Sequence, residues 1–353
     1  MSEVSEPPGF TCPAPQSQYE RIVLGHGSGG RLSHSLLQQI FLPIFNNDIL
    51  AQQEDQASLP LPTTGRLALT TDSFVVRPLF FPGGDIGRLA VHGTVNDLAV
   101  GGAKPLFLSA SFILEEGLPI HDLKRIVESM QPACSEANVQ IVTGDTKVVD
   151  KGKGDQVFIT TSGVGVIPEG RSLSVTAPQP GDEVLISGTM GDHGIAILSV
   201  REGIEFETVL ESDTASLASL TEAMLEVCPS IRWMRDPTRG GVSSALNEMA
   251  EAAKVGVKLH EKSLPIRKEV RAACEMLGLD PLYVANEGKL LAVVPGGESD
   301  AVLEVMRKHP QGQNADRIGR VVEDHVGMVT LESLIGGERI VTMLAGEQLP
   351  RIC

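Results

Sequence analysis

The sequence predicts an α+β protein built from two domains. Three observations carry that expectation. The chain has 353 residues, more than one ordinary domain holds. Strand-like and helix-like segments are mixed without the regular alternation of a doubly wound sheet. A proline and glycine cluster at 178–181 (PQPG) divides the chain.

Each element follows from local pattern. Residues 1–20 are rich in Pro, Ser, Gln and Glu and read as a disordered leader. A glycine loop, GHGSGG, occupies 25–30, and the polar, proline-containing stretch 52–65 reads as a loop. Four short apolar, β-branched runs then predict strands over 66–76, 106–116, 139–149 and 157–167. Helical patterns lie between some of them, at 86–101 and 121–137. Past the divide, a strand is expected from Asp182, with helices over 241–253, 266–278 and 299–309. Further strands are expected at 290–297, 327–331 and 339–344. In 241–253, Val242, Ala245, Leu246, Met249 and Ala253 recur at helical spacing. The expected domains are 21–172 and 173–344, with 345–353 as a mobile tail ending in Cys353.

Composition narrows the function classes. The net charge is −16, which disfavours a nucleic-acid or anionic-membrane surface. No run approaches the roughly 20 apolar residues of a membrane span. The N-terminus lacks a basic and apolar signal segment, so the cytoplasm is the expected location. Aromatic residues make up 4%, so aliphatic side chains are expected to fill the cores. The five cysteines form no CxxC pair, which argues against a zinc site or disulfide framework. Cys134, Cys228 and Cys274 fall in helix-like stretches and read as small buried residues.

Four aspartates stand beside small or glycine residues at the ends of apolar runs: Asp72, Asp97, Asp145 and Asp236. Hard carboxylate oxygens in such settings suit Mg²⁺, and Asn96 offers a neutral oxygen. Singly, each aspartate also suits a turn or a helix cap. GHGSGG is neither a Walker A loop nor a dinucleotide fingerprint, yet the backbone of Gly27, Gly29 and Gly30 can lie on phosphate oxygens. A plain flexible linker accounts for the loop equally well. DPTRGG (236–241) opens a helix, an anion seat that Arg239 would reinforce. Lys147 stands two residues beyond Asp145, as a phosphate contact or an ion pair. Glu287, in NEG, sits in a turn. Cys353 is unusual as a final residue: Pro350 stiffens the tail, and the thiol reads either as a swinging arm or as an incidental frayed end.

Together these segments resemble the HypE family of hydrogenase expression/formation proteins, the carbamoyl dehydratases. That family belongs to a larger group with aminoimidazole ribonucleotide (AIR) synthetase, selenophosphate synthetase and thiamine-monophosphate kinase. GHGSGG, TDSFVV, GTVNDLAVGGAKP, TGDTKVV, DPTRGG, NEG and the terminal PRIC stand in the family's order from about residue 20 to 353. PRIC is the specific mark. The resemblance implies a PurM-like fold in which the N-terminal domains of two copies form a dimeric β-barrel. It implies ATP and Mg²⁺ held by Asp72, Asn96, Asp97, Asp145, Thr146 and Asp236, with GHGSGG closing over the nucleotide. It also implies a carbamoyl group received on Cys353 from HypF, dehydrated to a thiocyanate, and passed as cyanide to HypC–HypD for [NiFe]-hydrogenase.

The chemistry suits these residues. The thiocarbamate oxygen is a poor leaving group until a phosphoryl group is transferred onto it. Loss of protons from nitrogen then forms the C≡N bond, which calls for a base. Glu287 and Lys147 are the candidates, with His26 third. Two alternatives remain at this level: a kinase or synthetase acting on a free small molecule, and a non-catalytic carrier whose tail ATP merely moves.

Overall fold

The computed structural model describes residues 19–54, 56–60, 63–204 and 209–344. Cys353, the tail from 345 and the leader up to 18 lie outside these residues. Tyr19 and Glu20 are already seated against the fold, where Ile120 N donates to the Glu20 carbonyl at 2.9 Å.

The first unit opens with α1 (Arg31–Leu36) and α2 (Leu42–Phe45), joined by a wider helical turn over Leu37–Phe41. These helices were not anticipated. Strand β1 (Arg66–Phe74), the short pair β2 (Phe80–Phe81) and β3 (Gly84–Asp85), and helix α3 (Ile86–Val100) follow. Asp85 caps α3, accepting from the N–H groups of Gly87 and Arg88 at 2.8 and 3.2 Å. Then come β4 (Lys104–Glu115), α4 (Ile120–Ala137), β5 (Gln140–Val149) and β6 (Val157–Ile167). The sheet order is β1-β6-β4-β5, antiparallel except for β4 and β5. Helix α4 makes that parallel crossover. Its apolar stripe, from Leu123 to Ala137, is buried at helical spacing.

Helices α3 and α4 cover only one face of this sheet. Leu108, Ala110, Phe112 and Leu114 of β4 and Ile159 of β6 point into that core. The alternate residues face outward, and Leu67 and Leu69 are 59% and 73% exposed. Five phenylalanines, at 41, 45, 74, 81 and 112, sit in this core, so the scarce aromatics are concentrated here. Gly93 of α3 admits the Phe74 ring, which a Cβ there would meet at 2.8 Å.

The second unit comprises β7 (Glu183–Ile186), α5 (Asp192–Glu202), α6 (Ala218–Val227), β8 (Trp233–Arg235), α7 (Gly241–Ala253), β9 (Gly256–His260) and α8 (Lys268–Leu277). It ends with β10 (Leu291–Val294), α9 (Ser299–Lys308), β11 (Asp316–Val322), β12 (Val329–Glu332) and β13 (Glu338–Val341). Its seven strands run β13-β12-β9-β11-β7-β10-β8, with β12 parallel to β9 and the other pairs antiparallel. Helix α7 packs Val242, Leu246 and Met249 on one face. Helices α6 and α9 pack Leu220, Met224, Val302 and Met306 on the other. All four residues of β10 are buried, as a strand covered on both faces should be. Helices α5 and α6 had no counterpart in the sequence expectations. Val100 of α3 enters the same core as Leu217 and Leu220, so the two units meet along α3 and α6.

Candidate active site

Three of the four aspartates converge where β1, α3 and β8 meet. Asp72 lies in β1 and Asp97 in α3, the latter in the last turn of a helix rather than at a strand end, because that helix runs 15 residues from Ile86 to Val100. Asp236 follows β8. Thr70 Oγ donates to Asp97 Oδ2 at 2.8 Å, and Ser73 N to Asp72 Oδ1 at 2.9 Å. Burial first, then repulsion from Asp97, push the Asp236 carboxyl up to about 7. Asp72 is raised by burial and by Asp97, with Arg239 pulling the other way. Among the described residues no three such side chains stand as a closed metal cage. A crowded acidic corner of this kind suits a hard cation whose shell is completed by phosphate and water oxygens.

Beside this corner, DPTRGG turns into α7. Gly240 and Gly241 have φ of +74° and +60°, and a Cβ on Gly241 would stand 2.6 Å from the Leu282 carbonyl. Only glycine allows that approach. The helix therefore begins against the 282–284 segment, with Arg239 one turn-residue ahead of it.

Asp145 is elsewhere. Sheet register sets Asp72 opposite Thr161, Thr161 opposite Ala110, and Ala110 opposite Gly144. Asp145 thus lies three strands away, about 14 Å at ordinary strand spacing. The expectation of one four-aspartate centre is corrected accordingly for a single copy of the chain. Asp145 accepts from Thr146 N at 2.8 Å and pairs with Lys147 at 3.5 Å, both side chains exposed.

Asp145, Thr146 and Lys147 instead line a pocket of about 350 Å³ with His26, Gly27 and Gly29. Phe41, Phe45 and Phe112 also line it. The glycine loop is not a loose linker: residues 24–27 form a tight turn laid on β5. A Cβ on Gly27 would stand 2.5 Å from Val148 N, which explains that glycine. Gly29 has φ +76°, and its N–H donates to Ser33 Oγ at 2.9 Å. Gly30 caps α1. His26 is buried, and its Nδ1 accepts from Val23 N at 3.0 Å. Burial lowers its pKa, which favours the neutral ring.

Asn96 does not point an idle oxygen at the aspartates. Its Nδ2 donates to the Ala215 and Glu287 carbonyls at 3.0 and 3.2 Å, and its Oδ1 accepts from Leu217 N at 2.8 Å. It straps the two units together one residue from Asp97. Glu287 is buried rather than solvated, and this strap brings it to the acidic corner, away from Lys147 of the same copy. Sequence reasoning missed Asp213, whose Oδ1 accepts from Glu287 N at 3.0 Å. No motif marks it. Asn286 was also passed over, although NEG contains it; it accepts from Gly191 N at 2.8 Å and donates to the Pro237 carbonyl at 3.0 Å. Cys134, Cys228 and Cys274 are buried free thiols, and burial pushes Cys134 and Cys274 up to about 12 and 11. None is a ready nucleophile near neutral pH.

Fold and site together define a two-domain protein of the AIR synthase related class: the N-terminal domain family matches residues 53–167 and the C-terminal domain family 179–332. The carbamoyl dehydratase HypE of Cupriavidus necator is 56% identical over 94% of this chain and 95% of its own. A hydrogenase maturation protein HypE solved in complex with ATP superposes with a TM-score of 0.90 at 49% identity, covering 94% of this chain and 99% of that one. A HypE–HypF complex structure matches with a TM-score of 0.77 at 48% identity, over 88% of this chain and 100% of that one. The chain belongs to the HypE family.

Proposed function

We propose that this protein is an ATP-dependent carbamoyl dehydratase of hydrogenase maturation, acting on a carbamoyl group carried by its own Cys353. The observation that carries the reading is the acidic corner itself. Asp236 is buried against Asp97 and Asp72, Arg239 is close by, and the buried Glu287 is strapped to the same helix. The ATP complex and the full-length identity of its relatives support it.

Asp72, Asp97 and Asp236 would hold Mg²⁺, which supplies charge neutralisation on the transferring phosphoryl group. Arg239 and the start of α7 receive phosphate oxygens. The thiocarbamate oxygen attacks the γ-phosphorus of ATP, and ADP leaves. Glu287 takes a proton from the thiocarbamate nitrogen as the C–O bond breaks. Phosphate departs, the second N–H proton is lost, and S–C≡N remains. The chain's own contribution is orientation and proton removal.

The bare outer face of the four-stranded sheet fits a second copy, whose sheet would close a barrel and cover Leu67 and Leu69. In that homodimer, one copy's Asp145, Lys147 and glycine loop would complete the nucleotide site of the other. That arrangement brings Lys147 and Glu287 to one thiocarbamate, which their separation in a single copy prevents. HypF fits as carbamoyl donor, given the HypE–HypF complex among the relatives, and HypC–HypD as acceptor, in the cytoplasm. Among the described residues no helix is long and apolar enough to cross a membrane.

The mass of the C-terminal peptide, followed before and after Mg·ATP on the purified carbamoylated chain, tests the reading. Loss of one water with ADP and phosphate formation is expected. ATP cleavage without that mass loss would point to the carrier alternative.

A further inference from the structure

We propose that Asp213 and Lys289, a buried ion pair outside every motif, are positioning residues that hold Glu287 in its working orientation. The inference rests on the reading of Glu287 as the base. The Asp213 side chain is 3% exposed and that of Lys289 14%, with Lys289 Nζ 3.6 Å from Asp213 Oδ2. The other carboxylate oxygen, Oδ1, accepts from Glu287 N at 3.0 Å. Asp213 therefore grips residues 287 and 289 at once, and Glu287 lies within the small loop so closed.

The peptide on the other side of Glu287 is held too. Asn96 Nδ2 takes the Glu287 carbonyl and the Ala215 carbonyl together, so one carboxamide ties the 213–215 segment to the same turn. Gly288 completes the seat: a Cβ there would stand 1.8 Å from the Asp213 carbonyl and 2.8 Å from Ala215 N. The two backbones lie in direct contact, which no side chain would permit. Asn286 fixes the preceding residue to Gly191 and to Pro237, next to Asp236. Both main-chain neighbours of Glu287 are thus fixed, Asn286 to Pro237 beside Asp236 and Gly288 against the Asp213 backbone.

A buried ion pair contributes little net stability, so the proposed role of this one is to fix a geometry. A hydrogen bond from a backbone N–H to a carboxylate is also shorter and stronger than one to a neutral acceptor. Asp192 faces the same pair: burial raises its pKa most, the Thr189 hydroxyl lowers it, and the charges of Asp213 and Lys289 then act in opposite directions. Lys289 is thus a cation beside the Asp213 carboxylate and within reach of the field of Asp192. The role is orientation of a turn, and neither residue is assigned contact with the thiocarbamate.

The experiment is single-turnover dehydration by the full-length carbamoylated chain, with Mg·ATP varied and the C-terminal peptide weighed. Asp213→Ala is expected to slow dehydration about 100-fold at saturating ATP, the order of loss for a misplaced catalytic group, with half-saturating ATP unchanged. Asp213→Asn, which keeps an acceptor, and Lys289→Met are expected to lose about tenfold. The double variant Asp213→Ala/Glu287→Gln should be no slower than Glu287→Gln alone, because the grip acts through Glu287. Full additivity in that double variant would overturn the proposal in favour of a general structural role. Wild-type rates in Asp213→Ala beside an inactive Glu287→Gln would overturn it while leaving the base assignment intact. A fully active Glu287→Gln would remove the base assignment and the proposal with it. Should Asp213→Ala not fold, Asp213→Asn and Lys289→Met decide, each with its melting temperature and circular dichroism recorded.

Discussion

Asp236 carries a conflict that the rest of the chain is built around. Its folded pKa, about 7, stands above the ordinary 3.8. Between those values the folded chain keeps a proton that the unfolded chain has released, so this group costs stability as pH rises through that window. Asp236→Asn removes the charge and keeps the shape. Without nucleotide or metal, its melting temperature should exceed wild type at pH 8, by about 2–4 °C per kcal/mol relieved, and match it at pH 4. Scanning calorimetry at both pH values checks this, and an equal gap at the two would refute the assignment. Asp97→Asn should weaken Mg·ATP binding at least about tenfold, since a charged ligand is lost; calorimetric titration reads it. Both aspartates were legible because each sits in a short motif beside glycine or asparagine. Asn96 was legible as a polar residue but not as a strap, since its partners are backbone groups more than a hundred residues away. Asp213 was illegible for the same reason: a grip on a main-chain N–H leaves no pattern in the sequence.

The turn over residues 24–27 and strand β5 act as one element, because Gly27 allows backbone to lie on backbone. Gly27→Ala must lift the turn from Val148. ATP binding is expected to weaken about tenfold and the melting temperature to fall a few degrees, the usual scale of overpacking. Gly30→Ala is the control: its nearest neighbour would be Ser28 Oγ at 3.8 Å, so both quantities should stay near wild type. Titration and thermal melts of the two variants together decide the point. At this scale the four strands of the first sheet and helices α3, α4, α7, α8 and α9 were readable, with apolar spacing setting α4, α7, α8 and α9. Helix α5 was not, because Ile195, Ala196, Ile197 and Leu198 are buried in succession and show no helical period. The run from α1 to α2 escaped notice because Pro43 interrupts it and a wider turn replaces its middle.

The proposed second copy would account for the site's division. If Lys147 serves the partner's acidic corner, then Asp97→Asn and Lys147→Ala chains, each inactive alone, should complement when mixed and re-equilibrated. About half the dimers would then be mixed, each with one intact site of two, so about a quarter of the carbamoyl groups should be dehydrated. Quenched peptide masses measure that fraction, and no recovery would mean that each copy works alone. Leu69→Glu, on the bare sheet face, should yield monomers in sedimentation and abolish dehydration by desolvating a charge at the interface. The pairing of sheets was expected only through family resemblance; the exposed Leu67 and Leu69 are consistent with the proposed pairing. Helix α3 has a further consequence. Asn96 and Asp97 are consecutive, so one grips the second unit while the next faces the acidic corner. Any change that rolls or slides this helix moves the Asn96 strap and the corner together. The angle between the units and the width of the corner therefore cannot drift apart through separate small mutations. The protein inherits them as a single dimension, and redesign of the nucleotide site has to begin at that helix.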